Sequence, residues 1–179
     1  MTYLMTWLVP AAGPEHDRLA ATIGRLAADH NAPQFQPHVT IVATIESTEA
    51  AAIHTLKSLV AGVAPFGMTF AAIGHEQAYF RSLYLLAEPS SQLMALQQAG
   101  QEVWALSPSP HMPHLSLLYS DLSDEHKRSI IDTIDIPLPL TVRFDAVELW
   151  ARHHPEVRNW YRAARVPLPG PSPHAASHQ

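Results

Sequence analysis

The chain has 179 residues, 47% of them apolar, a formal net charge of −5 and no cysteine. That composition belongs to a soluble globular protein, and it excludes disulfides, thiolate nucleophiles and cysteine-built zinc sites. The negative charge disfavours a long nucleic acid, whose affinity rests on phosphate neutralisation by Lys and Arg. No apolar run reaches the ~18 residues of a membrane span. The N-terminus also lacks the basic region and cleavage site of a signal peptide. The expectation is a cytoplasmic monomer with no membrane partner.

A first strand is predicted near residues 3–9, then a helix near 14–29 with Leu19, Ile23, Leu26 and Ala27 on one stripe. A strand near 36–43 holds the phrase Pro37-His38-Val39-Thr40-Ile41-Val42. Ser47-Thr48-Glu49 reads as a helix start, with Ile53, Leu56 and Val60 facing inward. A strand near 66–73 completes this half.

The second half repeats the order. Residues 79–87 read as a strand and 89–106 as a helix carrying Leu93, Leu96 and Val103. A strand near 113–119 holds Pro113-His114-Leu115-Ser116-Leu117-Leu118, the first phrase in a second form. Ser123-Asp124-Glu125 opens a helix with Ile130, Ile131 and Ile134 inside, and strands near 140–151 and 159–166 follow. Proline density in 167–179 predicts a flexible tail.

His114 follows His38 by 76 positions (114 − 38), Ser123 follows Ser47 by 76 (123 − 47) and Tyr84 follows Trp7 by 77 (84 − 7). Repeated element order at a nearly constant offset indicates an internal duplication, with pseudo-repeats at about 3–75 and 78–151 inside one bilobal domain, 1–166. Related halves generally pack about a pseudo-twofold axis, which brings the two motif strands across a shared cleft. The expected class is α+β: two lobes of mainly antiparallel sheet with outer helices.

Side chains alternate along a strand, so His38 shares a face with Thr40, and His114 with Ser116. A lone strand histidine is most often a plain hydrogen-bonded residue; the duplicated context singles these two out. His111 with His114, or the adjacent His153 and His154, offer imidazole pairs for a metal. Neither comes with a His-Glu-x-x-His pattern or clustered carboxylates, so no metal or other cofactor is expected. There is no Gly-x-Ser-x-Gly elbow and no phosphate-binding glycine loop. Two-histidine phosphoester chemistry remains: a neutral imidazole takes a proton from water, an imidazolium protonates the departing alkoxide, and Thr40 and Ser116 bind phosphate oxygens. Histidines near pKa ~6.5 allow one of each form around neutral pH.

His38-Val39-Thr40 and His114-Leu115-Ser116 resemble the signature motifs of the two-histidine phosphoesterases, most closely the cyclic phosphodiesterase branch. Residues 3–10, with a tryptophan shortly before a proline, are similar to that branch's opening strand, and Tyr79-Phe80-Arg81-Ser82-Leu83-Tyr84-Leu85 to its central one. The resemblance implies hydrolysis of cyclic phosphates on ribose, either ADP-ribose 1″,2″-cyclic phosphate or nucleoside 2′,3′-cyclic phosphates opened to 2′-phosphates. It implies His38 and His114 as the acid–base pair, with His114 activating water, and Thr40 and Ser116 as phosphate ligands. Trp7 and Tyr119 then contact the nucleoside, although strict alternation puts Tyr119 opposite His114 unless the strand bends or bulges. RNA ends are a second substrate class, for which Arg81, Arg143 and Arg152 offer a basic patch. A nucleotide sensor without turnover is a third reading, which two acid–base groups disfavour.

Overall fold

In the computed structural model, residues 3–108, 112–152 and 156–170 are described. The elements are β1 (Tyr3–Pro10), α1 (Pro14–Asp29), β2 (Val39–Ile45), α2 (Glu49–Leu59), β3 (Phe66–His75), β4 (Leu83–Ala87), α3 (Ser91–Val103), β5 (His114–Leu118), α4 (Asp124–Ile131), β6 (Leu140–Arg152) and β7 (Tyr161–Pro167), with short 3-10 turns at Tyr79–Arg81 and Val157–Asn159. The class is α+β, as the element pattern predicts.

Local chemistry accounts for the helices. Pro14 opens α1, where a missing N–H costs nothing. Thr48, Ser90 and Ser123 each accept a hydrogen bond from a first-turn backbone N–H, capping α2, α3 and α4. Thr48 is thus the cap within the Ser47-Thr48-Glu49 start of α2. Leu19, Ile23, Leu26 and Ala27 are buried as their spacing requires. Val103 is not; at the last turn of α3 it is 52% exposed.

Every strand pairing is antiparallel. They run β1-β2-β5-β4-β3-β6 and return from β6 to β1, with β7 on the far edge of β6. The long strand β6 makes this circuit possible: residues 140–144 pair with β3, while its later residues pair with β1 and β7. β2 and β5 meet at one register pair, Val39 opposite Leu115. Both are fully buried in the main core, which leaves the neighbouring residues of each strand on the opposite face. β1 alternates likewise, with Leu4 and Leu8 in the main core and Met5, Trp7 and Val9 in a smaller aromatic cluster beside the site.

Residues 79–81 form a 3-10 turn where the sequence predicts strand. The C-terminal boundary also differs. Leu168 is buried and its N–H donates to the Asp145 carbonyl, and the Gly170 N–H donates to that of Val63, so ordered packing continues past residue 166. The rest of the expected tail, 171–179, lies outside the described residues. No helix among the described residues is long and apolar enough to cross a membrane.

Candidate active site

The Val39–Leu115 pair defines the centre of the site. In antiparallel register, the residues beside it face one another: His38 opposite Ser116, and Thr40 opposite His114. All four line one cavity of about 340 Å³. The structure thus sets the two motif strands side by side at the register pair, with their histidines and hydroxyls in one cavity.

The two histidines are held in the same way. His38 Nδ1 lies 2.8 Å from the carbonyl of Gln36, and His114 Nδ1 lies 2.8 Å from that of Met112. A carbonyl only accepts, so each Nδ1 carries a proton and each neutral ring keeps its lone pair on Nε2. That tautomer serves as a base when neutral and as an Nε2–H acid when protonated. The correspondence continues in the flanking strands: Trp7 pairs with Thr40, and Tyr84 pairs with Ser116. Trp7 stacks on His38 with centroids 3.7 Å apart, while Tyr84 meets His114 edge-on at 5.4 Å.

Burial makes both imidazoles hard to charge. It pushes His38 down to about 4, opposed by the Gln36 carbonyl and assisted by nearby His114. His114 is also lowered by burial, against the Met112 carbonyl, with Arg81 lowering it further and Glu76 opposing. The expectation of unperturbed histidines does not hold, because neither ring is solvated as a model imidazole is.

Tyr119 reaches the site through a bulge. Tyr84 pairs with Ser116 but Leu83 pairs with Leu118, so Leu117 is an extra residue in β5. Leu117 and Leu118 both turn into the core, and Tyr119 returns to the face of His114 and Ser116. Its hydroxyl lies 3.4 Å from His38 Nε2 and its ring stacks on Phe35 at 3.9 Å. Burial raises its phenol well above the usual range, so it remains a donor to that nitrogen. Both Trp7 and Tyr119 line the cavity, yet they are only 1% and 4% exposed, their rings being occupied by protein neighbours.

Ser116 donates to the carbonyl of Phe80 at 3.0 Å. Of the three arginines, Arg81 and Arg152 line the cavity, whereas Arg143 is exposed elsewhere on β6. Arg81 is paired with Glu76 at 2.9 Å. Among the described residues no three His, Cys, Asp or Glu side chains converge as metal ligands. His111, His153 and His154 lie outside the described residues.

Sequence reasoning missed a layer behind His38. Glu148, 1% exposed, accepts from Trp150 Nε1 at 2.9 Å, from Arg162 at 2.8 Å and from the side chain of Gln36. The available signal was a glutamate inside the apolar run Ala146-Val147-Glu148-Leu149-Trp150. Gln36 gave no signal, since its carbonyl binds His38 and any residue carries one.

Comparison with known proteins identifies the family and the fold. The family model of the 2′-5′ RNA ligase superfamily matches residues 9–156. The chain is 27% identical over 124 residues to a cyclic phosphodiesterase of Arabidopsis thaliana, covering 69% of this chain and 68% of that protein. The fold matches E. coli LigT in apo form with a TM-score of 0.61, 20% identity and coverage of 93% of this chain and 96% of that one. LigT complexed with 3′-AMP gives 0.59, 19%, 94% and 98%. Because that family model matches most of the chain, the protein belongs to the 2′-5′ RNA ligase superfamily, the two-histidine phosphoesterases.

Proposed function

We propose that this protein hydrolyses cyclic phosphodiesters on ribose without a metal, by shared acid–base work of His38 and His114. The observation that carries the proposal is the matched pair of imidazoles, each with Nδ1 on a backbone carbonyl and each lining one cavity beside a hydroxyl side chain. Likeness to a cyclic phosphodiesterase, and to a fold solved with 3′-AMP, supports a small nucleotide as substrate.

The chemistry follows from these atoms. Water attacks phosphorus as one neutral Nε2 takes its proton. The protonated Nε2 of the other ring gives a proton to the departing ribose oxygen. Breaking the bond from phosphorus to O3′ of a nucleoside 2′,3′-cyclic phosphate leaves the 2′-phosphate; breaking that to O2″ of ADP-ribose 1″,2″-cyclic phosphate leaves the 1″-phosphate. Thr40 and Ser116 donate to the non-bridging oxygens as charge accumulates there. For Ser116 this means exchanging the Phe80 carbonyl for a phosphate oxygen.

Burial lowers both imidazoles, each against the backbone carbonyl on its Nδ1. By the family resemblance His114 takes the proton from water and His38 protonates the departing oxygen. Trp7 and Tyr119, already stacked within the protein, serve to hold His38 rather than to bind a base. Residues 3–75 and 78–151 fit two copies of one half-domain, each supplying one histidine, one hydroxyl and one backing aromatic ring.

The test is product analysis on a panel containing a nucleoside 2′,3′-cyclic phosphate, ADP-ribose 1″,2″-cyclic phosphate and an oligoribonucleotide with a 2′,3′-cyclic end, all in EDTA. Hydrolysis of the small substrates is expected. Turnover restricted to the oligomer would transfer the protein to RNA-end processing, and turnover only with added metal would end the two-histidine account.

A further inference from the structure

We propose that Phe80 and Trp160 form the subsite for the base of the nucleotide substrate, opened when Ser116 takes up the phosphate. This rests on the function proposed above and names a part of the site that neither the motifs nor the resemblance assigns.

Two rings of the site are already stacked within the protein. Trp7 is stacked on His38 at 3.7 Å and on Trp150 at 4.4 Å, and Tyr119 is stacked on Phe35 at 3.9 Å. A base has no room to lie on either without dismantling the support of His38. Beyond the four motif residues, the cavity wall continues through Tyr3, Met5, Phe80, Trp160 and Arg152. Phe80 is 41% exposed on this wall, with Tyr79 and Tyr119 meeting its ring edge-on at 5.0 and 5.2 Å.

Phe80 and Trp160 come from distant parts of the chain, the 3-10 turn before β4 and the residue before β7. Their centroids are 5.8 Å apart with planes tilted by 35°. Two rings enclosing a stacked base need roughly 7 Å, twice the ~3.4 Å stacking distance. The pair is therefore about 1 Å short of a base slot, and its rings must also swing from their 35° tilt toward parallel to hold a base. The Arg152 guanidinium lies 5.8 Å over Trp160 and 5.5 Å over Tyr3, a cation–π arrangement that braces this wall.

The opening movement has a link to the phosphate. The Phe80 carbonyl is what Ser116 donates to in this structure. When the hydroxyl turns to a phosphate oxygen, that tie on Phe80 is lost. The Arg81 N–H to the Ala78 carbonyl and the Ser120 N–H to the Tyr79 carbonyl still hold the turn, so the movement left to Phe80 is chiefly that of its ring. Phosphate ligation and base stacking are then coupled through one hydrogen bond. Stacking of this kind accepts any base, because every base has a π-face.

Calorimetric affinities for adenosine 2′-phosphate and for methyl riboside 2-phosphate, which lacks the base, test this in the wild type and in Phe80→Ala, Trp160→Ala and the milder Trp160→Leu. The expected result is roughly tenfold or tighter binding of the adenosine ligand by the wild type. Phe80→Ala and the Trp160 variants should lose most of that preference while binding the base-free ligand unchanged. Equal affinities in the wild type, or a preference that survives in Phe80→Ala and both Trp160 variants, overturns the inference. Base-dependent binding without any hydrolysis of cyclic phosphates would retain this subsite and remove the proposed activity instead.

Discussion

The imidazole of His38 lies against the indole of Trp7, with centroids 3.7 Å apart and planes within 12°. That contact fixes the ring plane, while the Gln36 carbonyl fixes its rotation through Nδ1. An aromatic face also favours an imidazolium more than an apolar wall does. Trp7 therefore supports a charge that burial otherwise disfavours.

Trp7→Ala should cost about 3–5 kcal/mol of stability, as large buried aromatics do, and lower kcat by roughly tenfold or more. Trp7→Phe keeps a ring behind His38 and should recover most of kcat. Urea denaturation and steady-state kinetics on both variants check this. An unchanged kcat in Trp7→Ala, with the stability loss present, would mean that the stack is structural only.

The His38 pKa makes a statement about stability. It is about 4 in the folded protein and about 6.5 when unfolded, so the folded state binds the proton less readily. The associated stability is complete above pH ~6.5 and is lost as pH falls toward 4, by roughly 3 kcal/mol. The wild type minus His38→Gln difference in unfolding free energy should therefore shrink across that window. A difference independent of pH would remove the depressed pKa. NMR titration gives the same answer directly, with the His38 ring protonating only near pH 4.

Behind His38, Glu148→Ala leaves the Trp150, Arg162 and Gln36 donors without their acceptor. A loss of about 3 kcal/mol is expected, at the lower end for a broken buried pair because Arg162 is half-exposed. Freed of that anchor, Gln36 holds the His38 ring less tightly, so kcat should fall while KM changes little. Arg162→Ala should cost less, since Arg165 stands 3.7 Å from the same carboxylate. Equal losses from the two variants would contradict this ranking.

The contrast between Trp7 and Glu148 shows what the sequence exposes. Doubling of a motif carries information about tertiary structure, so His38, Thr40, His114, Ser116 and even the Trp7–Tyr84 correspondence were legible before any coordinates. Caps at Thr48 and Ser123 were nearly so, because they act over a few residues. The bulge at Leu117 is different: alternation requires only some bend or bulge before Tyr119, and pairing with β4 shows which it is and where. Phe80 was hidden for a similar reason, since an apolar run of strand-forming residues conceals the 3-10 turn that lifts it to the cavity rim.

On the His114 side, a Cβ placed on Gly74 would lie 2.6 Å from the Tyr84 ring. Gly74→Ala must displace that ring, which meets His114 edge-on and donates to Glu76. The expected cost is about 1–3 kcal/mol, with a reduced kcat. Both effects should largely vanish when Gly74→Ala is made in a Tyr84→Ala background. A full cost in that background would place the clash elsewhere.

The most direct measurement is single-turnover hydrolysis of a nucleoside 2′,3′-cyclic phosphate in EDTA by the wild type, His38→Ala and His114→Ala. Two imidazoles acting as a base–acid pair predict turnover by the wild type and a loss of ~10²-fold or more in each variant. A near-normal rate in either variant would contradict the paired mechanism, whatever the other one shows.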